Sequence, residues 1–275
     1  MLLSSILMSP PSSKIPQPST LRCARCSRPA QNVSEGALPN KRWKLAASKE
    51  SVLIHAVLFD LYETLVTEVG APVTRAGSLA KILGVEESRY KPHWKSRRPD
   101  IIVGRKSFID VMTEIASVLG GSTNLEVLKQ VRAERLSEKA AVLRNVEGQV
   151  LKAISDLRRR RLKLAVISNT FPEDVAGWDV SPLRPFFDAA IFSCDVKLAK
   201  PDPRIYLLAC QRLNVSPECA LFIGDGIEEV VGARAAGLTA RRALWFASKP
   251  SAAAGAPDDQ VLWRPTEVVD AVLAA

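Results

Sequence analysis

A length of 275 residues allows one large domain or two modest ones, and 47% hydrophobic with 24% charged residues is the balance of an ordinary globular protein. No uninterrupted apolar run approaches the roughly 18–20 residues a membrane helix needs, so no bilayer-spanning segment and no membrane partner are expected. The net charge of +9 invites a nucleic-acid reading, but within residues 1–50 Lys14, Arg22, Arg25, Arg28, Lys41, Arg42, Lys44 and Lys49 face only Glu35 and Glu50, which puts six of the nine charges there; no nucleic-acid partner is expected.

Residues 1–50 are Ser/Pro-rich and show neither helical nor strand period, the composition of a disordered leader. A basic, Ser-rich, acid-poor leader fits an organelle transit peptide, and equally a start placed upstream of the folded chain. The opening M-L-L-S-S-I-L-M is short and no basic residue precedes it, which disfavours a secretory signal. Cys23 and Cys26 form a CxxC pair without a second pair or a nearby His, which argues against zinc. Cys194, Cys210 and Cys219 lie in apolar surroundings as small hydrophobes. Such cysteine usage favours a reducing compartment, the cytoplasm first.

From Val52 the pattern changes. V-L-I-H-A-V-L-F predicts a buried strand over 52–59 that delivers Asp60 to a sheet edge. Residues 74–141 read as helices only: Thr74–Leu83, then Phe108–Leu119 behind the capping box Ser107–Asp110, then a helix opened by Thr123-Asn-Leu-Glu126 and running to about Ala141. Glu147–Arg160 is amphipathic, and Leu162–Ile167 is a strand ending in Ser168-Asn169-Thr170. Ala189–Phe192 is a short strand, and Lys200-Pro201-Asp202-Pro203 leads into a helix over Arg204–Leu213. Ala220–Ile223 is a strand ending in Gly224-Asp225-Gly226, followed by a helix over Glu229–Ala236 stopped by Gly237. Leu238–Leu244 is a last strand and Val268–Leu273 a closing helix. This alternation predicts an α/β fold: a doubly wound, Rossmann-like parallel sheet (51–72 and 145–275) carrying a small all-helical insert (73–144), its site at the carboxyl ends of the strands. The Arg158–Arg161 run at a helix end reads as solvated charge.

In a parallel sheet the polar residues ending these strands converge: Asp60 with Thr64, Ser168 with Asn169, Lys200, and Asp225. A carboxylate can attack an electrophilic phosphorus or carbon and form a covalent ester. A hydroxyl and an amide can hold the oxygens of the transferring group, and a lysine offsets charge. A second acid makes a hard-oxygen cradle suited to Mg²⁺.

With F-D-L-Y-E-T-L, I-S-N-T, K-P-D-P-R-I-Y and I-G-D-G-I-E-E-V-V-G-A-R-A-A-G in this order, residues 52–246 resemble the haloacid dehalogenase superfamily of hydrolases. The resemblance implies that Asp60 is the nucleophile, that Ser168 and Asn169 bind the transferring group, and that Lys200 stabilises charge. It further implies that Asp225 shares Mg²⁺ with Asp60 and the main-chain carbonyl of Tyr62, and that residues 73–144 are a cap closing over the site. Where an Asp often completes the metal's outer shell this sequence departs from the family and offers Glu228 and Glu229, of which Glu229 is the better placed. The expected substrate is small and anionic.

Two departures leave the reaction open. The family's phosphatases read D-x-D-x-T, the second Asp serving as general acid/base; here Tyr62 stands there, next to Thr64, as in the D-x-Y-G-T of the dehalogenases. Glu63, however, departs from the dehalogenase Gly, and Asp225 is a metal-type residue where dehalogenases carry Ser-Ser-Asn. A Mg²⁺-dependent phosphatase is the leading reading, with a 2-haloacid dehalogenase and a weakly active binding or regulatory protein as alternatives. Arg75, Arg97, Arg98 and Arg105 are candidates to meet an anion or to be solvated surface. His55 and His93 read as packing or surface residues, and Trp94 as lining the cleft or packing the insert. The sequence does not specify an oligomeric state.

Overall fold

Near-continuous apolar strands form the centre of the molecule. In the computed structural model, which describes residues 53–70, 79–247 and 260–274, six strands pair in parallel in the order β3-β2-β1-β4-β5-β6. They are β1 (Ala56–Phe59), β2 (Lys163–Ser168), β3 (Ala189–Phe192), β4 (Ala220–Gly224), β5 (Thr239–Ala243) and β6 (Val261–Leu262). The expected doubly wound α/β sheet therefore forms. The chain starts in the middle, builds β2 and β3 to one side, then returns to add β4 against β1. This reversal opens a crevice at the carboxyl ends of β1, β2 and β4.

Alternation along each strand feeds two cores. Val57, Phe59, Leu164, Val166, Leu221 and Ile223 face α5 (Gly148–Arg159) and α10 (Glu267–Leu273). Ala56, Leu58, Ala165, Ile167 and Phe222 face α8 (Pro203–Leu213) and α9 (Ile227–Ala235). Because both faces are covered, the strands can be apolar throughout.

The first four helices after β1 share a third core: α1 (Leu79–Ile82), α2 (Glu87–Ile102), α3 (Phe108–Leu119) and α4 (Leu125–Arg144). One buried residue of this cluster comes from elsewhere: Phe171, three residues beyond the end of β2, so the helical insert is anchored on the rim of the crevice. Ser193 at the start of α7 (Ser193–Val196) adds a tie, accepting from Thr170 N (2.9 Å) and donating to Ile102 O (2.6 Å).

Several sequence expectations are corrected. The first strand begins at Ala56 rather than Val52, although His55 still bonds to both neighbours, N to Cys219 O (2.8 Å) and O from Lys163 N (3.1 Å). Helix α2 lies within the stretch expected to be helical although it contains Pro92 and Pro99, residues that disfavour a helix interior; tertiary packing holds it, with Trp94 stacked on Tyr90 and edge-on to Phe108 and Phe171. At α4 the cap is Asn124, not Thr123: Asn124 Oδ1 accepts from Glu126 N and Val127 N, and the helix continues to Arg144. Helix α9 starts at Ile227, two residues earlier than expected, which places Glu228 and Glu229 in its first turn. The capping box Ser107–Asp110 forms as expected. Strand β6 was missed, since two apolar residues carry no period and only pairing with β5 defines it. The expected helix from Thr74, the leader and Arg75 lie partly or wholly outside the described residues. Among the described residues no helix is long and apolar enough to cross a membrane.

One glycine sets how close α9 approaches the crevice. A Cβ on Gly232 would sit 2.3 Å from Pro201 O, so helix and the Lys200-Pro201 loop meet backbone to backbone. Gly232→Val is expected to lower the unfolding free energy by about 1–3 kcal/mol through overpacking, read as a lower urea midpoint at unchanged m-value. An unchanged midpoint would mean that α9 can shift freely.

Candidate active site

At the crevice the strand ends place Asp60, Lys200, Asp225 and Glu229 together. Asp60 follows β1 and is fixed by its own N–H, which donates to Ile223 O at 2.8 Å. The Lys200 side chain is 0% exposed; its Nζ donates to Asp60 Oδ1 at 2.5 Å and forms an ion pair with Glu229 Oε2 at 2.9 Å. Asp60, Asp225 and Glu229 each offer an oxygen within 4.8 Å of the others.

This crowding shows in the acidities. Burial, and then the neighbouring Asp60 carboxylate, push Asp225 up to about 6. Burial pushes Glu229 up to about 7 against the opposing effect of Lys200. Burial alone would lower the Lys200 ammonium, but Asp60 and Glu229 outweigh it and hold its pKa above the ordinary value. Three carboxylates against one ammonium leave an excess of negative charge. Asp60, Asp225 and Glu229 therefore form a donor set that fits a hard divalent cation.

Supporting groups surround the cluster. The Asn169 amide is spent on the Lys200 backbone: its Nδ2 donates to Lys200 O and its Oδ1 accepts from Lys200 N, both at 2.8 Å. Ser168 is the last residue of β2 and is buried. Thr64 is fully buried with its hydroxyl unpartnered among the described residues, while its carbonyl accepts from Trp245 Nε1 at 2.9 Å. The buried Tyr206 donates its hydroxyl to Glu229 O at 2.8 Å and pins the first turn of α9.

Tyr62 does not send its hydroxyl into the carboxylate cluster. The hydroxyl donates to Asp174 O at 2.7 Å, and Lys139 Nζ lies 4.3 Å from the ring centroid. Burial, then the Asp174 and Glu68 carboxylates, push the phenol well above its ordinary pKa, so it stays neutral. Glu63 adopts φ +56°, the left-handed region that favours glycine. Its carboxylate stabilises that turn by accepting from Thr67 Oγ1 (2.8 Å) and Glu68 N (2.9 Å).

Of the candidate arginines, Arg105 is paired with Asp100 (2.7 Å) and Arg97 lies 3.6 Å from Glu114. His93 Nδ1 is 3.0 Å from Arg97 and His93 is half-buried, a packing role. Arg158 is not only solvated: it bonds Asp188 Oδ2 at 2.5 Å and Leu162 O at 3.2 Å. Sequence reasoning missed Arg132, Arg135 and Lys139, which reach from α4 to Glu173, Asp174 and Glu68 respectively. Their i, i+3, i+7 spacing was the available signal of one helical face.

A sequence profile of the haloacid dehalogenase-like hydrolases matches residues 54–237, and the chain belongs to that family. It is 31% identical over 157 residues to a phosphorylated carbohydrates phosphatase of Thermotoga maritima, covering 56% of this chain and 71% of that protein. It is 36% identical over 97 residues to a phosphoserine phosphatase of Thermus thermophilus, covering 34% of this chain but only 36% of the relative. Among solved structures, a 2-haloacid dehalogenase of Pseudomonas syringae pv. Tomato shares the fold at 21% identity and a TM-score of 0.60, over 80% of this chain and 98% of that one. A putative β-phosphoglucomutase of Thermotoga maritima does so at 24% identity and 0.56, over 80% and 99%.

The raised carboxyls make a pH prediction for the metal-free protein. Asp225 and Glu229 bind protons more tightly folded than unfolded, where carboxyls titrate near 4. Stability is then greatest below that range and is lost as pH rises through about 6 and 7. Melting midpoints in EDTA should fall between pH 5 and pH 8, and the combined Asp225→Asn, Glu229→Gln variant should flatten the slope. A midpoint that rises over this range would contradict the electrostatics.

Proposed function

We propose that the chain is a Mg²⁺-dependent phosphohydrolase acting on a small phosphorylated metabolite, with Asp60 as nucleophile. The observation that carries this is the carboxylate trio around a buried lysine, with the Tyr62 hydroxyl directed elsewhere. The names of the two phosphatase relatives point the same way. Asp60, Asp225, Glu229 and the main-chain carbonyl of Tyr62 would hold the metal, which when bound would offset charge between nucleophile and phosphoryl oxygens.

In the reaction an Asp60 oxygen attacks phosphorus and the bond to the leaving alcohol breaks, giving an aspartyl phosphate. Water then attacks that phosphorus, the bond to Asp60 breaks, and the carboxylate is restored as phosphate leaves. Ser168 and the main chain at the end of β2 receive the phosphoryl oxygens, and Lys200 holds the Asp60 carboxylate in place through the Nζ–Oδ1 hydrogen bond. Asn169 acts through Lys200 by fixing its backbone. The leaving alcohol takes its proton from water, since Tyr62 is committed to Asp174. Turnover is therefore slower than with a second Asp, by about 10²–10⁴-fold. Residues 73–144 serve as the cap over this crevice, residues 51–72 and 145–275 as the core.

Tyr62 also matches the dehalogenase pattern, so one assay decides between the readings. Phosphate esters should be hydrolysed with Mg²⁺, not in EDTA, and not by Asp60→Asn, while 2-chloropropionate should release no chloride. Activity surviving metal removal or the Asp60 change would sink the phosphohydrolase; chloride release in EDTA would establish the dehalogenase. No turnover of either substrate would leave a binding role.

A further inference from the structure

The insert packs on Phe171 at the crevice rim, and two guanidinium groups lie against its ring. Arg135 of α4 lies 4.7 Å from the ring centroid and Arg98 of α2 lies 5.7 Å from it. Phe171 is three Cα steps beyond Ser168, so its Cα is within roughly 11 Å of the end of β2. The pair of cations therefore stands at the rim where a bound phosphate ester would project the rest of its molecule.

The two arginines are not equally occupied. One Arg135 nitrogen forms an ion pair with Asp174 Oδ1 at 2.6 Å, but its Nε is buried and lacks an acceptor among the described residues. Arg98 is exposed, and among the described residues its guanidinium meets the Phe171 ring without a side-chain hydrogen bond or ion pair. The other α4 cations at this boundary, Arg132 and Lys139, are already matched by Glu173 and Glu68. Arg98 thus presents an exposed planar fork at the Phe171 ring, and the Arg135 fork at the same ring keeps an unfilled donor. Guanidinium forks match carboxylate and phosphate oxygens in pairs.

We infer that Arg98 and Arg135, stacked on Phe171, form a subsite for a second anionic group on the substrate, so that the preferred substrate is a phosphate ester that also carries a carboxylate or a further phosphate. Phe171 fixes the planes of the two forks, and the apolar cluster of the insert holds Phe171. The inference rests on the phosphohydrolase reading for the reaction but not for the ligand.

Matched ester pairs test it. 2-Phosphoglycerate against glycerol 2-phosphate isolates a carboxylate, and fructose 1,6-bisphosphate against fructose 6-phosphate isolates a phosphate. In at least one pair the wild-type protein with Mg²⁺ should favour the doubly anionic member in kcat/KM. Arg98→Gln should reduce that preference on the order of tenfold, mainly through KM, as expected for losing a charge-assisted contact. Arg135→Lys, which keeps the charge beside Asp174 but not the fork, should reduce it in the same direction. Arg105→Gln, whose guanidinium is already paired with Asp100, should leave the preference unaltered. Equal preference in wild type and Arg98→Gln for both pairs overturns the subsite while leaving the phosphohydrolase intact. If no ester is hydrolysed, the phosphohydrolase reading fails and calorimetric titration with the same pairs decides the subsite: tighter binding of the doubly anionic member that is lost in Arg98→Gln supports it, and equal Kd values overturn it.

Discussion

The structure of the crevice depends on the burial of one ammonium group. Lys200 is entirely withdrawn from water, and an ion of that size taken from water loses several kcal/mol of hydration. Asp60 and Glu229 offset that loss by pairing with the ammonium, and the ammonium in turn lessens the repulsion of these carboxylates from each other. Acid and base thus make each other's burial possible. The neighbouring residues maintain this arrangement: Asn169 clamps the Lys200 backbone, Gly232 lets α9 come down on Pro201, and Tyr206 pins the turn carrying Glu229. None of these three needs to touch a substrate to matter.

The second organising feature is the boundary between insert and sheet. The insert has its own apolar core, yet Phe171 from the rim belongs to it. Ion pairs from α4 bury Glu173 and Asp174 beside the loop that follows Ser168. In these pairs α4 supplies the cation and the segment after Ser168 the carboxylate, so the boundary is charge-matched at Glu173 and Asp174.

The Tyr62-Glu63 pair shows how a loop can keep its shape with unusual residues. Tyr62 bridges from the loop after β1 to Asp174 of α6 (Pro172–Val175), so this side chain acts as a structural tie. Glu63 occupies a backbone conformation suited to glycine and stabilises it with its own carboxylate. Both side chains are thereby committed to the loop's architecture, which fits a site where charge is handled by Asp60, Asp225, Glu229 and Lys200.

Strand-ending Asp60, Ser168 and Asp225, the parallel sheet and the amphipathic helices were legible in the sequence, because a buried strand has to be apolar and the residue that ends it is free to be polar. The order of the motifs sufficed to bring Lys200 to the same edge. What the sequence left open was decided by contacts between distant segments. Helix α2 survives two prolines through Tyr90, Trp94 and Phe108, and β6 exists only by pairing with β5. The direction of the Tyr62 hydroxyl, the use of the Asn169 amide, and the reach of Arg135 to Phe171 are set by partners 112, 31 and 36 residues away. Period and composition report how a residue meets its immediate neighbours; only the folded chain decides which remote group completes its hydrogen bonds and charge.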